Sequence, residues 1–124
     1  RKVYNKYSAD VIIASLFAES LMDLHPWNLY KKDGTIQPWT PEILTVLEKC
    51  LQVEPRNPGA NHFYIHATEM SQHAETALAS ADLLRDLVPG AGHLVHMPSH
   101  TYIRIGKYHE GVAANQKAVL VDSL

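Results

Sequence analysis

Six side chains able to bind a metal or carry a proton fall at helical spacing in two short segments of this chain. They are His62, His66 and Glu69 within Asn61–Glu69, and His93, His96 and His100 within the run His93–His100. On a helix turning about 100° per residue, each trio lies along one side of its helix. Imidazoles and a carboxylate gathered this way suit metal ligation, proton relay or a pH-sensitive contact. Histidine with carboxylate accepts zinc, iron, manganese, nickel or copper(II), whereas copper(I) prefers a thioether such as Met97 or a thiol.

The elements that must hold these residues are helical. Apolar positions recur at three- and four-residue spacing through Ala9 to Leu24, Pro41 to Val53, Ala60 to Met70, Glu75 to Val88, Gly92 to Ile105 and Glu110 to Val121, which predicts six helices and no strand. Ser8 is placed to cap the first helix, and Thr40 with Pro41 to open the second. Pro55, Pro58-Gly59 and Pro89-Gly90 break the chain between pairs. Pro98 removes a backbone donor inside the fifth helix and should kink it between His96 and His100. One long irregular stretch, His25 to Trp39, carries Trp27, Tyr30 and Trp39. A loop of this size is functional, packed down as a lid, or a surface insertion whose tryptophans cover the end of the core, and the last is the expectation.

Length and composition narrow the function. At 124 residues the chain makes one domain. Its 11 basic and 13 acidic residues are nearly balanced and form no basic stripe, so nucleic acid is a poor partner. No apolar run is long enough to span a membrane, and no signal peptide is visible. Cys50 is the only cysteine and is expected to be a buried thiol. Ser99 lacks the glycines of a nucleophile elbow, and no phosphate loop or paired-cysteine motif occurs. The chain opens at Arg1 without methionine and ends straight after a helical pattern, so we expect an excerpt of a longer protein.

Pro58-Gly-Ala-Asn-His62 is repeated as Pro89-Gly-Ala-Gly-His93 at an offset of 31 residues, each copy opening a helix pair. Stacked helix pairs with such a period make an α-solenoid. Ser99, Tyr102, Gly106, Tyr108, Gly111 and Ala118 fall where a tetratricopeptide repeat (TPR) places its small, aromatic, glycine, aromatic, small and alanine positions, and Leu47 to Pro58 looks like a TPR second helix with its terminal proline. The chain therefore resembles the TPR family, as an all-α solenoid of about three antiparallel helix pairs over residues 8–57, 58–88 and 89–124. The middle unit is shorter than the usual repeat of about 34 residues, and the first is lengthened by His25 to Trp39. The Pro-Gly-Ala-Gly-His-Leu-Val-His-Met-Pro-Ser-His run also resembles a stretch in a bacterial group of TPR-containing proteins with no assigned activity, so the resemblance implies a fold rather than a reaction.

In such a stack the first helices lie side by side, about 8 to 10 Å apart, and their histidines can meet. Glu19 and Asp23 on the leading helix would face the same groove. Five histidines and three carboxylates exceed the needs of one ion, so either two metals bind or some groups orient the ligands. Glu69, Glu19 or Asp23 would serve as ligand or general base in a metalloenzyme. Three uses stay open at this level: a metal site, a polar structural or peptide-binding groove, and a proton-switched contact. The expected role is a protein-interaction or assembly module, with metal binding, or self-assembly into a homo-oligomer or filament, as its rivals.

Overall fold

The structure is a computed structural model that describes residues 1–123. Among these the chain is all helical: α1 (Lys2–Lys6), α2 (Val11–Asp23), α3 (Thr40–Val53), α4 (Pro58–Thr68), the 3-10 turn Ala74–Ala77 leading into α5 (Leu78–Leu87), α6 (Gly92–His96), α7 (Pro98–Arg104) and α8 (Tyr108–Asp122). The only sheet-like feature among the described residues is an isolated antiparallel bridge between Tyr30 and Ile36. No helix among them is long and apolar enough to cross a membrane.

Packing follows chain order. Helix α2 lies on α3 and α4, α4 on α5 and α7, and α6 and α7 on α8. Ala18, Ile43, Leu47, Ile65, Ala81, Leu84 and Met97 form a continuous core in which small alanines let neighbouring helices approach closely. Cys50 is buried in it, and burial raises its thiol pKa, so this sulfur plays no part as a thiolate near neutral pH. Tyr102, almost wholly buried, donates its hydroxyl to Asp82 Oδ1 at 2.7 Å and ties α7 to α5. Lys117 reaches Asp86 Oδ1 at 2.8 Å and fastens α8 to the same helix.

Several expectations need correction. The cap of α2 is Asp10, whose carboxylate accepts from the Ile13 amide at 3.0 Å, rather than Ser8. Thr40 opens α3 ahead of Pro41, but its hydroxyl donates to the Leu29 carbonyl at 2.6 Å and so holds the preceding loop instead of capping. The short helix α1 was not expected. It buries none of its own residues fully and is held from outside, by Tyr4 stacked on Phe17 and Arg1 paired with Glu42.

The fifth helix is divided at Met97 into α6 and α7. Pro98 can offer no amide to the Leu94 carbonyl, yet Met97 keeps helical angles (φ −50°, ψ −38°), so the hydrogen-bond ladder is interrupted while the path of the chain continues. Helix α7 then ends in a Schellman turn. Gly106 takes φ +83°, its amide bonds to Ile103 O at 3.3 Å, and the Lys107 amide bonds to Tyr102 O at 2.8 Å.

The irregular stretch does not cover the core with both tryptophans. Trp27 is 86% exposed with φ 59°, while Trp39 stacks on His25 and donates to the Asn28 carbonyl. Leu29 is the residue that enters the core. Tyr30 donates to Ala67 O at 2.7 Å, and Gln72 Nε2 to Asp33 O at 3.0 Å, binding the loop to α4 and the turn after it.

Candidate metal centre

The two copies of Pro-Gly-Ala start their helices differently, and this sets the heights of the histidines. Asn57 precedes the first copy and accepts from the Ala60 amide at 3.0 Å, so Pro58 is already helical. The second copy is preceded by Val88, which cannot cap, and α6 begins only at Gly92. His62 is thus in the second turn of α4 and His93 in the first turn of α6. Asn61, buried, gives both amide protons to the Pro55 and Asn57 carbonyls and locks the loop beneath α4.

All five histidines of the two segments meet on one side of the molecule. His62 Nε2 is 3.1 Å from His93 Nε2, their rings nearly perpendicular at 86°. The His62 and His66 rings lie 4.8 Å apart between centroids. One nitrogen from each of His62, His66 and His93 falls within 4.8 Å of the other two. Glu69, buried at the C-terminal end of α4, joins this trio to the other pair. Its Oε1 lies 3.6 Å from His66 Nδ1 and its Oε2 accepts from His100 Nδ1 at 2.5 Å. His100 Nε2 in turn lies 2.9 Å from His96 Nε2, and His96 Nδ1 is 2.6 Å from Asn115 Oδ1.

A carboxylate at a helix C-terminus opposes the helix dipole, and burial by itself would raise the pKa of Glu69. The hydrogen bond from His100 and the approach of His66 outweigh both and hold it down to about 2. Burial lowers His62 to about 4, with further lowering from His66, His93 and His100. His93, more exposed than His62, is lowered in the same direction, by the partial burial of its ring first and then by the neighbouring imidazoles. At neutral pH His62 and His93 are therefore uncharged rings, the state in which imidazole donates a lone pair.

The carboxylates of α2 are placed differently from Glu69. Asp23 lines a cleft of about 240 Å³ together with Tyr30, His66, Glu69 and Met70. Glu19 is half-buried on α2 and makes no hydrogen bond or ion pair with the histidines among the described residues. His25 stacks on Trp39 and His73 pairs with Glu75, so neither joins the cluster. Asn115 was missed from sequence. Its one signal is a polar side chain between Ala114 and Ala118, both buried on the inward stripe of α8.

Set against protein-family models, curated proteins and solved structures, the chain matches none. The chemistry of the cluster is left to carry the functional reading.

Proposed function

We propose that this protein binds a divalent transition metal, zinc, iron or copper, through His62, His66 and His93, on a TPR-like stack of helix pairs. One observation carries the reading: a nitrogen of each ring lies within 4.8 Å of the other two. With metal–nitrogen bonds of about 2.0 to 2.1 Å, neighbouring ligand nitrogens stand about 3.0 to 3.4 Å apart. The His62–His93 pair, at 3.1 Å, already has that spacing, and a rotamer adjustment of His66 closes the set. Three protein nitrogens leave a position open for water or substrate, and the neutral state of His62 and His93 means few protons compete for the site at pH 7. The scaffold reading is supported by helices that pack in chain order and by the repeated Pro-Gly-Ala opening.

Elemental mass spectrometry on untagged protein purified without chelator tests the site. The expected result is a stoichiometric transition metal, retained on dialysis and reduced by one equivalent in His66→Ala/His93→Ala while helix content by circular dichroism stays near wild type. No metal after incubation with zinc, iron and copper would sink the proposal.

A second reading, assembly with a protein partner or with further copies, is favoured by a separate observation. Ile12 and Leu16 on α2, and Val112, Val119 and Leu120 on α8, are all more than half exposed. Such apolar faces on the outer helices of a stack invite a neighbour. Light scattering across a hundredfold concentration range should then show growth in mass, and a constant monomer mass would count against it.

A further inference from the structure

We propose that His96 and His100 hold a second divalent transition metal, oriented by Asn115 and Glu69, beside the ion assigned to His62, His66 and His93. The inference deepens the metal-binding reading above and is tested separately from it. It stands on which groups these two rings face. Asn115 presents its carbonyl oxygen to His96 Nδ1 at 2.6 Å, and an amide oxygen can only accept, so Nδ1 carries the proton. Ser99 Oγ, 3.5 Å from the same nitrogen, can accept from it as well. The Glu69 carboxylate faces His100 Nδ1 at 2.5 Å, so that nitrogen is also the donor.

In the neutral rings both Nε2 atoms are left as lone-pair acceptors, yet they face each other at 2.9 Å. A cation between them, a proton on one ring or a metal ion held by both, is what sets two such nitrogens at that distance. The spacing is close to that of adjacent ligands on one metal ion, about 3.0 Å at a right angle with bonds of about 2.1 Å. A histidine ligand that gives its other N–H to a carboxylate or a carbonyl is the ordinary outer arrangement of a metal site, which fixes the tautomer and raises the basicity of the ligating nitrogen.

The fold supplies the remaining requirements. His96 and His100 are one helical turn apart across the Met97–Pro98 interruption, and Met97 keeps helical angles, so the turn that stacks them is preserved. Their rings cross at 82°, as the His62 and His93 rings do at 86°. Both line a cleft of about 330 Å³ with Ser99, Arg104 and Asn115, which leaves room for water or a small anion to complete the coordination. The His66 and His100 rings lie 5.8 Å apart between centroids, and Glu69 reaches an Nδ1 of each. One carboxylate thereby orients a ligand of the second ion and stands beside a ligand of the first.

The deciding measurement is zinc stoichiometry by calorimetric titration of the metal-free 124-residue protein, checked by elemental mass spectrometry after gel filtration. Wild type is expected to take two equivalents. His96→Gln should take one, and His62→Gln/His93→Gln should also take one, the other. Asn115→Leu should keep the first equivalent unchanged and bind the second about 10- to 100-fold more weakly, the usual cost of losing an orienting partner. Cobalt(II) spectra of the same proteins should show one set of d–d bands missing in each single-site variant, a signature that altered packing alone does not produce. A wild type that takes one equivalent, kept by His96→Gln, overturns the second site and leaves the first standing. One equivalent lost in both histidine variants means a single shared site and also overturns it. No uptake by wild type overturns both. Because wild-type stoichiometry decides among these, a variant that failed to fold would not protect the proposal.

Discussion

Zinc at a hundred times its dissociation constant should raise the melting temperature of the protein by about 10 °C. Ligand that binds only the folded state stabilises it by about 2.7 kcal/mol at that ratio. A domain of this size gains about 4 °C per kcal/mol. The linkage is strong here because the nitrogens come from α4 and α6, which are far apart in sequence, so the unfolded chain holds no comparable site. His62→Ala/His93→Ala removes two of the three donors, each contributing on the order of 3 kcal/mol or a hundredfold in affinity, so it should lose this site's share of the shift and keep only what an ion at His96 and His100 supplies. His93 is exposed and His62 half-buried outside the apolar core, so the variant should keep its helix content without metal. Magnesium, which prefers oxygen ligands, should give no shift in either protein. Differential scanning calorimetry with and without chelator reads all of these. An equal zinc shift in the double variant would place the ion elsewhere.

The helices were legible because their punctuation is written in side chains. Thr40-Pro41 marks one start, Pro58 another, and Gly106 an end. The position of the first cap was not, because Ser8 and Asp10 are equally good caps by type, and only the chain path chooses Asp10. Helix α1 was invisible to periodicity, since five residues give barely more than one turn and its contacts are made with α2 and α3. The meeting of the two histidine segments could be anticipated from their spacing and the repeated opening. The shift between the copies could not be read from the motif alone. It rests on the residue before it, Asn57 in one case and Val88 in the other. Asn115 and the Asp82–Tyr102 bond are long-range partners that no local pattern announces. Glu19 shares a helix face with Asp23, yet only Asp23, one turn nearer the loop, lines the cleft beside His66.

Acidification should destabilise the metal-free protein in two stages. His62 sits at about 4 when folded against 6.5 in a free side chain. Between those values the unfolded chain takes up a proton that the folded protein refuses, so the contribution is complete above pH 6.5 and disappears as pH falls through 4. Glu69 sits at about 2 against 4.5. Its contribution is complete above pH 4.5 and is lost as pH falls through 2. The His62 ring is partly open to solvent, and after discounting for screening it contributes about 1 to 2 kcal/mol, roughly 5 °C in melting temperature. His62→Leu keeps a neutral side chain of similar bulk and takes up no proton. In chelator, its melting temperature should therefore fall about 5 °C less than that of wild type between pH 7.5 and pH 4, with the two proteins closest at neutral pH and furthest apart at the acid end. Glu69→Gln should diverge from wild type at neutral pH and converge with it only below pH 4.5, because the ionised carboxylate that faces His100 is what it removes. Profiles for His62→Leu and wild type that ran parallel from pH 7.5 to pH 4 would show that His62 titrates alike in the folded and unfolded chain, and the burial that keeps it a neutral donor would then be wrong.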